Sequence, residues 1–282
     1  MRSDRPGRHP LLSDSTALVR HAADRLFEAG LHQGAERQRI LPGSAVLLLL
    51  CEQGGREGGA PQPCVVLNKR SGDVRQPGDL CFPGGGISAR ADRLLSWLLR
   101  VPGSPLRRWP CHARWRKGGG DPRLAVILAA ALREAFEEMR LAPWGTTFLG
   151  LLPPQGLRTL DRAVHPVAAW LRQPQRFRPN WEVERVIVVP LIELLDPSRH
   201  GRLRVRYQSG EPSVQDRLRE EFGCFEYEGE LLWGLTYRVV EQFLELVLGY
   251  EPAPLATRPP YEMVLADDYF TRRRGGATSG RG

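Results

Sequence analysis

The stretch DPRLAVILAAALREAFEEMRL, residues 121–141, decides the fold. Asp121-Pro122 reads as an N-cap followed by proline at the first helical position, where its missing N–H is no loss, and Pro143 closes the other end. Between them Leu124, Ala125, Ile127, Leu128, Ala131, Leu132 and Ala135 cover most of the circumference, so the helix is expected to be buried on several sides. Into it are set Arg133, Glu134, Glu137 and Glu138. The three glutamates stand at i, i+3 and i+4, which overlaps them on one face roughly 5–6 Å apart. Such a group is either a solvated acidic patch with Arg133 as partial counter-charge, or a site for a divalent cation. Burial favours the cation, because ionised glutamates on a buried helix are costly unless paired or metal-bound.

About fifty residues upstream the chain reads Cys64-Val65-Val66-Leu67-Asn68-Lys69-Arg70-Ser71 and then Phe82-Pro83-Gly84-Gly85-Gly86. A glycine-rich turn after a strand lets backbone N–H groups approach phosphate oxygens, although Pro-Gly-Gly alone also serves as a plain turn. Arg70 and Arg75 could clamp phosphate bidentately, and each taken singly reads as a surface arginine. A diphosphate needs its charge neutralised before water attacks phosphorus, and Mg²⁺ or Mn²⁺ on carboxylates does this.

Together these segments resemble the Nudix hydrolases, whose signature is G-x5-E-x7-R-E-U-x-E-E-x-G-U with U apolar. Arg133, Glu134, Ala135, Glu137, Glu138 and Leu141 match its second half, and Arg140 stands where a glycine is expected. Gly86 lies far more than the nominal fourteen or so residues before Arg133, so roughly thirty extra residues, 88–120, interrupt the box; Asp92 stands at the nominal spacing after Gly86. The coenzyme A pyrophosphatase branch is similar over Val66 to Ser71, Arg75, and Gly78 to Gly85, one residue shorter between Arg75 and Gly78 and with Asn68 in place of a threonine. Val164-His165-Pro166-Val167, Trp181-Glu182-Val183-Glu184 and Leu232-Trp233-Gly234-Leu235-Thr236 also look like that branch, so the resemblance spans about residues 40–250. It implies an α/β/α sandwich with a mixed β-sheet and a pyrophosphatase using Mg²⁺ or Mn²⁺. Glu134, Glu138 and Glu137 would be metal ligands, and Glu137, Glu138 and Arg133 catalytic, with Arg133 orienting a carboxylate by ion pair. Arg70, Ser71, Arg75, Gly84, Gly85 and Gly86 would bind substrate. For the proton acceptor the candidates are Glu137, then Glu182, Glu184, Glu226 and Glu228, with His165 last and more readily a core histidine.

At 282 residues and 41% hydrophobic content the chain can bury a sizeable core. It has no run of eighteen apolar residues and no apolar segment with a cleavage site behind its basic start, so a cytoplasmic protein off the membrane is expected. Five cysteines, odd in number and without C-x-x-C spacing, read as thiols in a reducing compartment. Of the 40 basic residues behind the +8 charge, only Lys69 and Lys117 are lysine, a bias read as base composition of the gene before nucleic-acid binding. Within the interruption Arg107, Arg108, Trp109, Arg114, Trp115, Arg116 and Lys117 could hold single-stranded nucleic acid or a nucleotide. Alternatively the tryptophans pin the segment to the body, or the segment is a lid.

Helices are expected over 14–29, 91–99 and 235–248, and strands over 44–51, 64–69, 146–152, 164–171, 184–189, 202–207 and 224–227. Helices on both sides of mixed strands make a layered α/β/α domain. The reading divides the chain into an N-terminal helical extension (1–39), a Nudix domain (40–250, interrupted at 88–120) and a C-terminal tail (251–282) expected to be disordered from about 271. The expected function is metal-dependent cleavage of a small nucleoside diphosphate derivative, first coenzyme A or acyl-coenzyme A. The alternatives are a sugar nucleotide, dinucleotide or capped RNA as substrate, or a non-catalytic nucleotide- or RNA-binding module. A homodimer is left open.

Overall fold

The computed structural model describes residues 9–31, 43–54, 59–156, 163–208 and 221–271. Residues 44–51 are almost continuously apolar, as suits a strand covered on both faces. They form the middle of β1 (Gly43–Gln53), the centre of a mixed sheet. On one side β1 pairs antiparallel with β2 (Gln62–Arg70), which pairs with β3 (Leu80–Cys81) and with β8 (Val183–Pro190). On the other it runs parallel to β7 (Ala163–Leu171), which pairs with β5 (Thr146–Leu151) and the short β6 (Gln155–Gly156). A three-residue strand of glycines, β4 (Gly84–Gly86), adds to β1.

Alternation along β1 sorts the two cores. Ala45, Leu47 and Leu49 face the helix α4 (Pro122–Met139), while Leu48 and Leu50 face α1 (Ser15–Leu31) and α6 (Gly234–Leu248). This is the expected α/β/α sandwich with a mixed sheet. Segment 15–31, set apart from sequence as an extension, lies on the sheet and gives Leu18, Ala22 and Leu26 to its core. None of the helices among the described residues is long and apolar enough to cross a membrane.

As its sequence demands, α4 is buried nearly all round, and Asp121 caps it by accepting the Arg123 N–H at 3.0 Å. Its end differs from expectation. The helix stops at Met139, ahead of Pro143, because Arg140 turns left-handed (φ 57°) and the Leu141 N–H reaches back to Ala135 O at 3.3 Å. That is a Schellman-type cap, locked by the fully buried Leu141.

The interruption contains α2 (Ala91–Leu98), packed on α4, and α3 (His112–Lys117). Trp109 is buried, stacks edge-on against Phe148 with centroids 4.9 Å apart, and donates its indole N–H to Leu149 O at 2.8 Å. Leu99, Leu106 and Cys111 join the same core. The tryptophan at 109 therefore pins the segment to the body.

A second sheet was not anticipated. Its order is β11 (Glu230–Trp233), β10 (Glu221–Tyr227), β9 (His200–Tyr207) and β12 (Pro260–Leu265), the last pair parallel. Phe225, Tyr227 and Leu232 extend the core beneath α6. The short α5 (Leu191–Leu194) follows β8 directly. Residues 251–271 are thus no loose tail; residues 272–282, expected to be disordered, lie outside the described residues.

Candidate active site

Three elements meet where α4 passes β4 and the end of β2. Along β2, Cys64 and Val66 face α4 and so, by the period of two, does Asn68. Asn68 is fully buried and donates its side-chain N–H to Glu138 Oε2 at 2.8 Å, while the Gly84 N–H points at Oε1 from 3.3 Å. Glu138 is itself buried. Burial pushes its carboxyl up to about 7, with the charges of Glu134 and Glu182 adding to the rise and the two donors opposing it.

Gly85 sits beneath Glu134. A Cβ at Gly85 would come within 2.6 Å of the Glu134 carboxylate, and one at Gly84 within 2.5 Å of Ala45 O, whereas Gly86 has open space. Two of the glycines expected to admit phosphate also make room for a helix carboxylate and for the neighbouring strand. Only Gly84 lends its N–H directly, and it does so to Glu138.

Arg133 gathers the remaining acids. Its Nε donates to Asp92 Oδ1 at 2.7 Å and its Nη2 to Asp92 Oδ2 at 3.2 Å, and Asp92 is fully buried in the first turn of α2. Its Nη1 reaches Glu134 at 2.8 Å and Glu137 at 3.3 Å, and its Nη2 also holds Gly86 O at 3.0 Å. Burial raises the Glu134 carboxyl as well, against the pull of Arg133. Glu137, by contrast, is half exposed.

The upstream residues lie around this centre in different ways. Ser71 is tied by its N–H to Glu182 O at 2.9 Å. Arg70 donates Nε to Arg75 O at 2.7 Å, bracing the loop between them, and the Arg75 side chain is exposed. Of the alternative proton acceptors, Glu182 is near enough for its charge to act on Glu138. Glu184 stands 3.5 Å from Lys69, Glu226 accepts the Gly229 N–H at 2.8 Å, Glu228 is in an exposed turn, and His165 is buried in β7. Sequence reasoning left out two participants. Asn68 was findable from strand parity; Asn180, whose N–H holds Glu138 O at 2.7 Å, carried no such signal.

The donor set can be tested against a divalent cation. Glu134 and Glu138 offer hard oxygen ligands, already desolvated, and Asn68 Oδ1 is buried with no partner among the described residues. Among the described residues no three His, Cys, Asp or Glu side chains already converge as a ligand cluster, since Glu137 leans to Arg133. The chemistry of the pair fits Mg²⁺ or Mn²⁺, with waters filling the other positions.

The chain is similar to the uncharacterized Nudix hydrolase NudL of Pectobacterium atrosepticum, 28% identical over 188 residues that cover 64% of this chain and 74% of the relative. NudL of Escherichia coli O157:H7 is 27% identical over 194 residues, 68% of this chain and 79% of that one. This similarity to proteins called Nudix hydrolases extends over about two thirds of the chain. No family model matches it. Among solved structures, the Nudix hydrolase RenU of M. smegmatis is 20% identical, covers 52% of this chain and 70% of its own, and superposes with a TM-score of 0.33.

Two departures from the Nudix signature now have physical accounts. Asp92, at the nominal spacing after Gly86 for the first acidic position of that signature, pairs with Arg133 across 41 positions. The glycine expected near the end of the box falls on a left-handed cap, a position glycine fills without strain, and Arg140 adopts that conformation here.

Proposed function

We propose that this Nudix homologue is a divalent-metal-dependent pyrophosphatase that cleaves the diphosphate linkage of a nucleoside diphosphate derivative, with coenzyme A or acyl-coenzyme A the first candidates. The observation that carries the proposal is a pair of desolvated carboxylates, Glu134 and Glu138, seated against β4, where Gly85 leaves room for one and the Gly84 N–H aims the other. When bound, Mg²⁺ or Mn²⁺ would neutralise the diphosphate and lower the pKa of an attacking water. Glu134 and Glu138 would hold it, with Glu137 joining them or taking the proton from water. Glu182, across the site on the segment leading into β8, is the second candidate for that proton. Arg133 orients Glu134 through its bond at 2.8 Å while Asp92 fixes the guanidinium from behind. Ser71 and the exposed Arg75 would contact the substrate beside Glu182, and Arg70 would support their loop.

The kinship with proteins called Nudix hydrolases supports hydrolysis of a phosphoric anhydride, and the local match of residues 66–85 to the coenzyme A branch supports that substrate. Arg140, standing where a glycine is expected, is compatible with an intact helix end. The test is hydrolysis by the full chain, with Mg²⁺ or Mn²⁺, of coenzyme A, ADP-ribose, dinucleoside polyphosphates and capped RNA, alongside Glu138→Gln. Metal-dependent turnover of coenzyme A, reduced at least about 100-fold by the substitution, is expected. Turnover of another panel member alone would move the substrate, and no turnover of any would remove the enzyme reading.

A further inference from the structure

The loop between β2 and β3, residues 71–79, carries Ser71 and Arg75, two of the side chains assigned above to the substrate. Its base is closed by the strand ends, where the Arg70 N–H donates to Asp79 O and the Gly78 N–H to Arg70 O, each at 3.0 Å. Its tip bends through two residues in the left-handed region, Gln76 (φ 54°) and Gly78 (φ 79°). Glycine takes that conformation freely, whereas Gln76 takes it under strain that surrounding contacts have to offset. One such contact comes from the C-terminal segment, where Tyr269 O accepts the Gln76 N–H at 2.8 Å.

Tyr269 is buried, in a turn after β12 closed by its own N–H on Ala266 O at 3.0 Å. Its hydroxyl donates to Asp79 Oδ2, and Trp233, the last residue of β11, donates its indole N–H to Asp79 Oδ1 at 3.2 Å. The two rings stack with centroids 6.4 Å apart. The loop is thus gripped on both sides of its tip, through a carbonyl at residue 76 and through two donors at residue 79. Both oxygens of Asp79 are occupied, so a proton arriving there has to displace one donor. The charged and titratable groups facing Asp79 are the Arg70 guanidinium from β2, the Cys81 thiol from β3 and the Tyr269 hydroxyl. Burial outweighs Arg70 and the two donors and places the Asp79 carboxyl at about 6.

Resting on the proposed pyrophosphatase reading, we propose that Tyr269 and Asp79 are positioning residues, which with Trp233 form a latch that holds loop 71–79 in the shape that presents Ser71 and Arg75 to the substrate. Substrate affinity is thereby governed from residues 266–271, which lie outside the α/β/α sandwich. With the latch closed, binding does not have to order the loop; with it open, affinity falls in proportion to the fraction of molecules in which the loop keeps that shape.

The full chain is compared with Tyr269→Phe, which removes one hydroxyl and keeps the ring and the bond to Gln76, and with Asp79→Asn. Phe225→Leu, which loosens the core beneath α6 away from the loop, serves as the control for stability alone. On the coenzyme A, ADP-ribose, dinucleoside polyphosphate or capped RNA substrate that is turned over with Mn²⁺, KM is expected to rise about tenfold in Tyr269→Phe and in Asp79→Asn, the size of one charge-assisted hydrogen bond, while kcat stays within about twofold. Combining the two substitutions should raise KM no further than either alone, and Phe225→Leu should lower Tm without moving KM. The ratio of KM between Asp79→Asn and the full chain, about ten at pH 7, is expected to shrink toward one at pH 5, where Asp79 of the full chain is protonated and its latch released. Hydrogen exchange over residues 71–79 reads the latch without turnover and is expected to be at least about tenfold faster in Tyr269→Phe. Faster exchange in a protein that hydrolyses none of the substrates supports the latch and removes only the pyrophosphatase reading. An unchanged KM in both variants, additive effects of the two, an equal rise of KM in Phe225→Leu, or exchange indifferent to Tyr269→Phe overturns it.

Discussion

Glu138 is a carboxylate that burial holds near half-protonation at neutral pH, its carboxyl pushed up to about 7. In the unfolded chain a glutamate titrates near 4.3. Between those values the folded protein keeps a proton that the unfolded chain has released, so without divalent cation stability declines as pH rises through the window, by about 4 kcal/mol over its whole width. Glu138→Gln removes that proton uptake. Urea unfolding in a chelator is therefore expected to show the variant matching the parent near pH 4 and exceeding it by about 3–4 kcal/mol at pH 8. A parent and variant with the same dependence on pH would refute the assignment. The residues of the centre differ in how openly they announce themselves. Glu134, Glu137 and Glu138 are legible from helical spacing taken together with the burial of their helix, and Asp92 shows only as a spacing from Gly86. Asn68 is hidden by its apolar neighbours until strand parity is applied, and Asn180 and Glu182 arrive through a connection whose path is set by docking onto the end of α4.

Among the elements, α4 was readable because its cap, its apolar surround and its charges agree, and β1, β2, β5, β7 and β8 because each is a compact apolar run. The short strands β3, β4 and β6 were not, since two or three residues carry no periodicity and owe their place to a neighbour. The segment between α2 and α4 is an element whose role depends on Trp109. Trp109→Ala removes a buried indole, its bond to Leu149 O and its contact with Phe148. A loss of about 3–5 kcal/mol in unfolding free energy is expected. A change below about 1 kcal/mol would mean that the segment is not part of the cooperative core.

For the whole molecule, the second sheet gains its outer strand where residues 260–265 return to run parallel to β9. Pairing so distant in sequence leaves no local trace, which is why the C-terminal region read as a tail. Tyr269 then reaches the loop before β3, where its hydroxyl and the Trp233 indole both donate to Asp79. Burial lifts the Asp79 carboxyl to about 6 despite them. A chain ended after Pro259 loses the buried Leu265 and Tyr269 and uncovers the edge of β9. Thermal and urea unfolding should show it weaker by about 3–5 kcal/mol, and light scattering should show it prone to self-association. Full stability and solubility of the shortened chain would mean that the second sheet does not need its last strand.

The pair formed by Asp92 and Arg133 has a consequence for how this architecture tolerates change. With Asp92 clamped to α4 and Asp121 opening that helix, residues 93–120 make a closed excursion whose ends are held independently of what lies between. The entropy of closing such a loop grows only logarithmically, about 0.6 kcal/mol for each doubling of length. Added length at this point is therefore thermodynamically cheap, provided that the graft brings its own apolar anchor, as Trp109 does here.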